Sequence, residues 1–129
     1  MSKPAVLVAD DEPILRRLLR RVLEAGGWRV LMASDGDEAA EVLACDPDGV
    51  AVVVLDLRMP PGGGLPLVER IHGLRPGAGL VVTSGLPPEP EVERWLARAG
   101  AVFLQKPFAP ERLCEEVTRL AQREGACPA

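Results

Sequence analysis

Short apolar runs alternate along the chain with segments in which apolar residues recur every three or four positions. This alternation predicts a parallel sheet whose strands are connected by crossover helices. The predicted strands cover residues 5–9, 29–33, 50–55, 80–83 and 101–104. The third run, VAVVVL, is apolar at every position, which is typical of a central strand in a doubly wound sheet.

Five helical segments follow these strands. Their apolar positions lie within residues 14–23, 39–43, 65–71, 92–99 and 113–121. Gly26 and Gly27 are expected to end the first helix, residues 46–49 (Asp-Pro-Asp-Gly) the second, and Pro110 lies in the first turn of the last. Because five strand–helix units use the whole sequence, we predict one domain over residues 1–129, with a core of about 4–124 and no output domain.

Composition narrows the possible functions. The 129 residues carry a net charge of −4, so direct nucleic-acid binding is not expected, since it requires a basic surface. No apolar run approaches the roughly 18 residues of a membrane span, and the N-terminal residues do not form a signal peptide pattern. The three cysteines show no metal-binding spacing. We therefore expect a cytoplasmic protein that does not enter a membrane.

Polar side chains follow four of the predicted strands. Asp10 and Asp11 follow the first strand, Asp56 the third, Ser84 the fourth and Lys106 the fifth. Ligands of open α/β sheets bind beyond the carboxyl ends of the strands, so these side chains are expected to meet at one edge. Carboxylate oxygens suit Mg²⁺, and a compact ammonium suits a phosphoryl oxygen. The pattern predicts a site for a divalent metal ion and a phosphoryl group.

Two of these features also have structural explanations. The run Asp10-Asp11-Glu12-Pro13 is typical of a helix start, in which Asp caps the helix and Glu complements its dipole. That explanation is compatible with metal binding, because one aspartate can cap while the other binds the ion. Lys106 could be an ordinary exposed lysine, but Lys3 is the only other lysine of the chain. Pro107 restricts the backbone next to Lys106, and a cis bond is one way to do so.

Asp56 is the candidate nucleophile. Pro60 prevents a helix from starting directly after it, so helix capping does not explain this carboxylate. A carboxylate at the end of a buried strand costs free energy unless a metal ion or a cation compensates it. Beside both, it can attack a phosphoryl group and form an aspartyl phosphate. Thr83 and Ser84 add two hydroxyls at a strand end; such groups usually satisfy local backbone atoms, and one could donate to a phosphoryl ligand.

These residues, in this order, resemble the receiver domain of two-component response regulators (CheY-like) over nearly the whole chain. The matching motifs are VLVADDEP, VVVLDLRMP, VVTSG and FLQKPF, each at the end of a predicted strand. The resemblance implies a flavodoxin-like (βα)₅ fold: a parallel five-stranded sheet of order 2-1-3-4-5 with helices on both faces. It also implies a phospho-acceptor signalling domain, which promotes only its own phosphorylation and dephosphorylation, rather than an enzyme.

The resemblance assigns the metal and phosphoacceptor roles. Asp56 would be the phosphoacceptor. Asp10 and Asp11 would form the acidic pair, with Asp11 as the direct Mg²⁺ ligand. Asp56 and the backbone carbonyl of Arg58 would complete the metal site.

The resemblance also assigns the phosphoryl-binding and switch residues. Lys106 would bind the phosphoryl group together with Ser84. Ser84 matches the switch hydroxyl better than Thr83, because it lies 106 − 84 = 22 residues before Lys106, a separation similar to the family's. Phe103, three residues before the lysine, matches the aromatic switch position, although it lacks a hydroxyl.

The implied partners are a sensor histidine kinase or phosphotransfer protein, whose phosphohistidine donates the group, and an unidentified downstream protein. Output would use the surface of the fourth helix, fifth strand and fifth helix, for that protein or for a homodimer. Leu86, two positions after Ser84, flanks the route of the attacking water in the family. Its bulk predicts a phosphoryl lifetime longer than minutes.

Four alternatives are open. The chain could be a receiver domain cut from a larger regulator or hybrid kinase, or a pseudo-receiver that docks constitutively. A phosphatase of the haloacid dehalogenase type also uses an aspartate at a strand end, but it needs a second acid where this chain has Arg58. A dinucleotide-binding domain is disfavoured, because Ala9-Asp10-Asp11-Glu12 replaces the glycine-rich turn after the first strand.

Overall fold

Strands and helices alternate along the computed structural model, which describes residues 4–45, 49–60 and 62–125. The strands are β1 (Ala5–Ala9), β2 (Arg29–Ala33), β3 (Val50–Asp56), β4 (Gly79–Ser84) and β5 (Val102–Gln105). The helices are α1 (Pro13–Ala25), α2 (Gly36–Cys45), α3 (Gly64–Leu74), α4 (Pro90–Ala99) and α5 (Pro110–Gly125). The turn predicted after the second helix, at 46–48, falls outside the described residues.

The five strands form one parallel sheet of order β2-β1-β3-β4-β5. This confirms the order that the resemblance implied. β3 pairs with both β1 and β4 and is buried along almost its whole length, as its continuous apolar run predicts. The order reverses between β1 and β3, so the carboxyl ends of these two strands flank the crevice where such sheets bind ligands.

Side chains of the strands alternate between two cores. One core joins α2, α3 and α4 to the sheet through residues such as Leu7, Leu55 and Val82. The other joins α1 and α5 to the opposite face through residues such as Val8 and Val54. Helices therefore cover both faces, as expected. Within the described residues, no helix combines the length and the apolar character needed to cross a membrane.

Three strands extend beyond their apolar runs. β3 includes Asp56, which pairs with Thr83, and Ser84 at the end of β4 pairs with Gln105 of β5. Backbone pairing does not depend on the polarity of the side chain, so the ladder continues past the residues that hydrophobicity identifies. β4 begins at Gly79, where α5 packs closely against the strand. A larger residue would not fit, because a Cβ at this position would lie 2.7 Å from the Leu120 Cβ.

The loop between β3 and α3 folds back towards the end of β3. The Leu57 carbonyl accepts a hydrogen bond from Gly64 N–H at 2.7 Å. Gly63 adopts φ 84°, and a Cβ there would lie 2.8 Å from the same carbonyl oxygen. Only glycine fits such a close approach at positive φ. The loop is also tied to α2, since Gly36 N–H donates to the Pro60 carbonyl at 2.8 Å.

Candidate functional site

Side chains from three strand ends meet at the carboxyl edge of the sheet. Lys106 Nζ lies 3.0 Å from Asp10 Oδ2 and 3.2 Å from Asp56 Oδ2. The two carboxylates are almost fully buried, with side-chain exposures of 4% and 5%, and that of Lys106 is 16%. The expected convergence of these residues is therefore present. The peptide bond between Lys106 and Pro107 is cis.

Glu12 is a member of this site that sequence reasoning did not place there. Its Oε1 lies 2.8 Å from Lys106 Nζ, the shortest of the lysine's three carboxylate contacts. We call Lys106, Asp10, Glu12 and Asp56 the lysine cluster. The only sequence signal for Glu12 was its place after two aspartates, and a run of acids does not show where each side chain points.

Asp11 completes a group of acids suited to a metal ion. Asp10, Asp11, Glu12 and Asp56 each offer a carboxylate oxygen, and these oxygens all lie within 4.8 Å of one another. Asp11 and Glu12 are exposed, whereas the other two are buried. Clustered hard oxygen donors that water can still reach are the ligands that Mg²⁺ prefers. The donor set therefore fits a divalent cation.

Both carboxylate oxygens of Asp56 are oriented by neighbours. Oδ1 accepts a hydrogen bond from the backbone N–H of Arg58 at 3.1 Å, and Oδ2 accepts one from Lys106 Nζ at 3.2 Å. The short turn after β3 thus holds the Arg58 backbone against the carboxylate. A groove of about 490 Å³ opens beside this turn, lined by Leu57, Arg58 and Ser84 among others.

The two candidate hydroxyls have different surroundings. Ser84 lines the groove, and its Oγ accepts a hydrogen bond from Leu86 N–H at 3.2 Å. Its carbonyl accepts a bond from Lys106 N–H at 2.7 Å, which joins the ends of β4 and β5. Thr83 Oγ1 is buried and has no hydrogen-bond partner within the described residues. Of the two, Ser84 is the hydroxyl next to the open groove.

Two further predicted residues lie at the margin of the site. Phe103 is half-buried and packs against the core under α2, α3 and α4. Leu86 follows β4 and is 51% exposed. Neither residue belongs to the lysine cluster.

The charges of the lysine cluster shift its pKa values. Burial raises the pKa of Asp10, and the Asp56 charge adds to this, against hydrogen bonds from Glu12 N–H and Lys106. Burial alone would lower the pKa of Lys106, but hydrogen bonds to Glu12 and Asp10 and the charges of Asp10 and Asp56 together raise it. The two shifts therefore have different main causes: burial at Asp10 and the neighbouring carboxylates at Lys106.

Known response regulators are similar to this chain in sequence. Residues 6–118 match the family model described as the response regulator receiver domain. The response regulator MprA of Mycobacterium tuberculosis is 34% identical over 119 residues, which cover 92% of this chain and 50% of MprA. The chain spans a quarter to a half of the length of the first curated relatives that it matches.

Solved structures show the same fold. A CheY-like receiver domain protein from Methanospirillum hungatei superposes with a TM-score of 0.83 at 24% identity, covering 97% of this chain and 98% of the other. A response regulator from Burkholderia pseudomallei, solved with a phosphorylated aspartic acid, calcium ion and citrate, gives a TM-score of 0.76 at 26% identity, covering 95% and 71%. With its match to the family model over residues 6–118, the chain belongs to the receiver domain family of two-component response regulators.

Proposed function

We propose that this receiver domain accepts a phosphoryl group on Asp56 from the phosphohistidine of a sensor histidine kinase or a phosphotransfer protein. The observation that carries the proposal is the position of the Asp56 carboxylate, which lies 3.2 Å from Lys106 Nζ within the group of four acids. A buried carboxylate with a cation on one oxygen and a backbone N–H on the other is held in a fixed direction. Fixed nucleophiles of this kind suit phosphoryl transfer.

Mg²⁺ is the proposed cofactor. Asp10, Asp11 and Asp56 would hold it, because their carboxylates are clustered. The backbone carbonyl of Arg58 would complete the set, as the resemblance to receiver domains implies. When bound, the ion would neutralise negative charge on the carboxylate and on the transferring group.

The chain's own residues would carry out the transfer. A carboxylate oxygen of Asp56 forms the new bond to phosphorus, and the nitrogen–phosphorus bond of the donor histidine breaks, leaving the electron pair on the imidazole. Lys106 and Ser84 would then bind the phosphoryl oxygens. For Lys106 this requires only an exchange of acceptors, since its ammonium already contacts Asp56.

The proposed output is a change in packing on the α4–β5–α5 surface. Ser84 stands between the site and this surface: its backbone pairs with β5, and its hydroxyl is bonded to the loop that leads to α4. If the hydroxyl turns towards a phosphoryl group, the Leu86 bond breaks and the loop can move. Phe103, half-buried on β5, would repack and alter binding to a downstream protein or to a second copy of the chain.

Incubation with acetyl phosphate and Mg²⁺, followed by intact-mass measurement, tests the proposal. We expect the mass of one phosphoryl group to be added to the wild-type protein and not to Asp56→Ala. Addition without Mg²⁺, or to Asp56→Ala, would contradict the proposed site. The absence of any adduct would favour a pseudo-receiver, and steady turnover of phosphate esters would favour a phosphatase.

A further inference from the structure

Glu12 occupies the site without a part in the proposed transfer. It is the N-cap residue of α1, yet its side chain makes no capping hydrogen bond. Its backbone is fixed on both sides, because its N–H donates to Asp10 Oδ1 at 2.8 Å and its carbonyl accepts from Arg16 N–H at 3.0 Å. The carboxylate instead bonds Lys106 Nζ. The Glu12 side chain therefore does not bond the first backbone N–H groups of its helix, as N-cap side chains usually do, but bonds a residue 94 positions away along the chain.

Within the described residues, carboxylates surround the Lys106 ammonium. An ammonium group has three N–H donors; Lys106 Nζ donates hydrogen bonds to Glu12 and Asp56 and forms an ion pair with Asp10 at 3.0 Å. Two of these partners, Asp10 and Asp56, are residues that the proposed function uses for the metal ion and the phosphoryl group. Glu12 is the third partner and is not needed for either.

We propose that Glu12 is a positioning residue. It would keep the Lys106 ammonium at the carboxyl edge of the sheet while Asp10 gives up its contact with the lysine for the metal ion and Asp56 gives up its contact for the phosphoryl group. This inference rests on the proposed function. The lysine side chain has four flexible carbons, and each donor without an acceptor gives it freedom to leave the site. The Glu12 side chain is 61% exposed, so it can follow the ammonium through these changes.

The opposite expectation has a physical basis too. Glu12 carries a negative charge beside a site that must receive an anionic phosphoryl group. If repulsion were its main effect, removing the charge would speed the transfer. If Glu12 were mainly a metal ligand, removing it would weaken Mg²⁺ binding, and saturating Mg²⁺ would restore the rate. The positioning role predicts a slower transfer that saturating Mg²⁺ does not restore.

Two measurements on Glu12→Gln test the inference. The first is the ¹³C spectrum of lysine-labelled protein without phosphodonor, which is simple because Lys3 and Lys106 are the only lysines; Lys106→Met assigns the signals. We expect the Lys106 side chain to be ordered in the wild type and mobile in Glu12→Gln. The second is the rate of phosphorylation by acetyl phosphate at saturating Mg²⁺, which we expect to fall about threefold to tenfold.

Glu89→Gln is a matched control. Glu89 is the N-cap of α4, precedes Pro90 as Glu12 precedes Pro13, and also makes no side-chain capping bond. The substitution removes the same charge from the same kind of helix start, so it should leave the Lys106 spectrum unchanged. An unchanged Lys106 spectrum in Glu12→Gln, or a rate that is equal, faster or restored by Mg²⁺, would overturn the inference. If the wild type accepts no phosphoryl group, the proposed function fails, while the spectrum still shows whether Glu12 holds the lysine.

Discussion

Two charged clusters of this domain have opposite compositions. In the lysine cluster, one ammonium faces three carboxylates at the carboxyl edge of the sheet. In what we call the glutamate cluster, one carboxylate on α5, Glu116, pairs with the guanidinium groups of Arg112 and Arg119. The first joins residues up to 96 positions apart, Asp10 and Lys106 (106 − 10 = 96), whereas the second joins residues three and four positions apart on one helix.

The pKa values show what each arrangement does. In the lysine cluster, burial, with the charge of Asp56, outweighs the hydrogen bonds and the charge of Lys106 and raises the pKa of Asp10, so folding disfavours its charged form. In the glutamate cluster, the hydrogen bond and charge of Arg119, with help from Arg112, outweigh burial and lower the pKa of Glu116. The charge of Asp10 therefore opposes folding and would be compensated by a bound cation, whereas the charge of Glu116 supports folding.

The two clusters should differ most in how the phosphorylation rate responds when the positively charged side chain of each is replaced. We expect Lys106→Met to reduce the rate of phosphorylation by acetyl phosphate about 100-fold, because a donor to the transferring oxygens is lost. Arg119→Met removes a cation from the glutamate cluster and should leave the rate unchanged. Intact-mass time courses at saturating Mg²⁺ measure both. A similar loss in the two variants would mean that the clusters do not differ in function.

Hydrolysis offers a second contrast, since only the lysine cluster would hold a group that water can attack. We expect the phosphoryl group on the wild-type protein to last longer than minutes and Leu86→Ala to shorten this lifetime about fivefold, by opening the route for water. Leu74→Ala truncates another partly exposed leucine, 43% against 51%, and should have no effect. Loss of the group from the wild type within seconds would refute the prediction.

Stability should respond in opposite directions when an acid is removed from each cluster. In EDTA, we expect Asp10→Asn to raise the free energy of unfolding by about 1 kcal/mol, because a buried carboxylate with a raised pKa becomes neutral. Urea denaturation measures this. In saturating Mg²⁺ the wild type should have the higher free energy of unfolding of the two proteins, since it gains stability by binding the ion. A less stable Asp10→Asn protein in EDTA would show that its bond to Lys106 outweighs burial.

The two clusters also differ in what their sequence reveals. The spacing of Arg112, Glu116 and Arg119 is a local helical pattern, visible once α5 is identified. The convergence of Asp10, Asp56 and Lys106 also followed from sequence, because parallel strands place their carboxyl ends at one edge. The ten helices and strands were also predicted from sequence, because apolar residues recur with a different period in helices and in strands.

What could not be predicted depends on side-chain direction. Glu12 is one residue beyond the acidic pair, and nothing in its spacing shows that it turns away from its own helix towards Lys106. The strand ends were missed by one residue for a related reason. Asp56, Ser84 and Gln105 are polar, yet they continue the backbone ladder.

The smallest effect expected is that of Glu116→Gln. Both arginines are more than half exposed, so water screens their charges and the loss at pH 7 should be only about 0.5 kcal/mol. Because this loss is small, its dependence on pH, measured by urea denaturation at several pH values, is a clearer test than its size at pH 7. The pKa of Glu116 in the folded protein lies below the ordinary glutamate value of 4.5, because of its hydrogen bond with Arg119, so its contribution to stability is present above that value. It is lost as pH falls through the lowered folded pKa.

The stability difference between wild type and Glu116→Gln should therefore be constant from about pH 7 to about pH 5 and shrink towards zero below about pH 4. Glu115→Gln, one position away on the same helix, leaves both ion pairs of Glu116 in place and is the control. A difference that grows as the pH falls would require the opposite sign of the shift. In that case burial, rather than the two arginines, would dominate at Glu116, and its charge would oppose folding as the charge of Asp10 does.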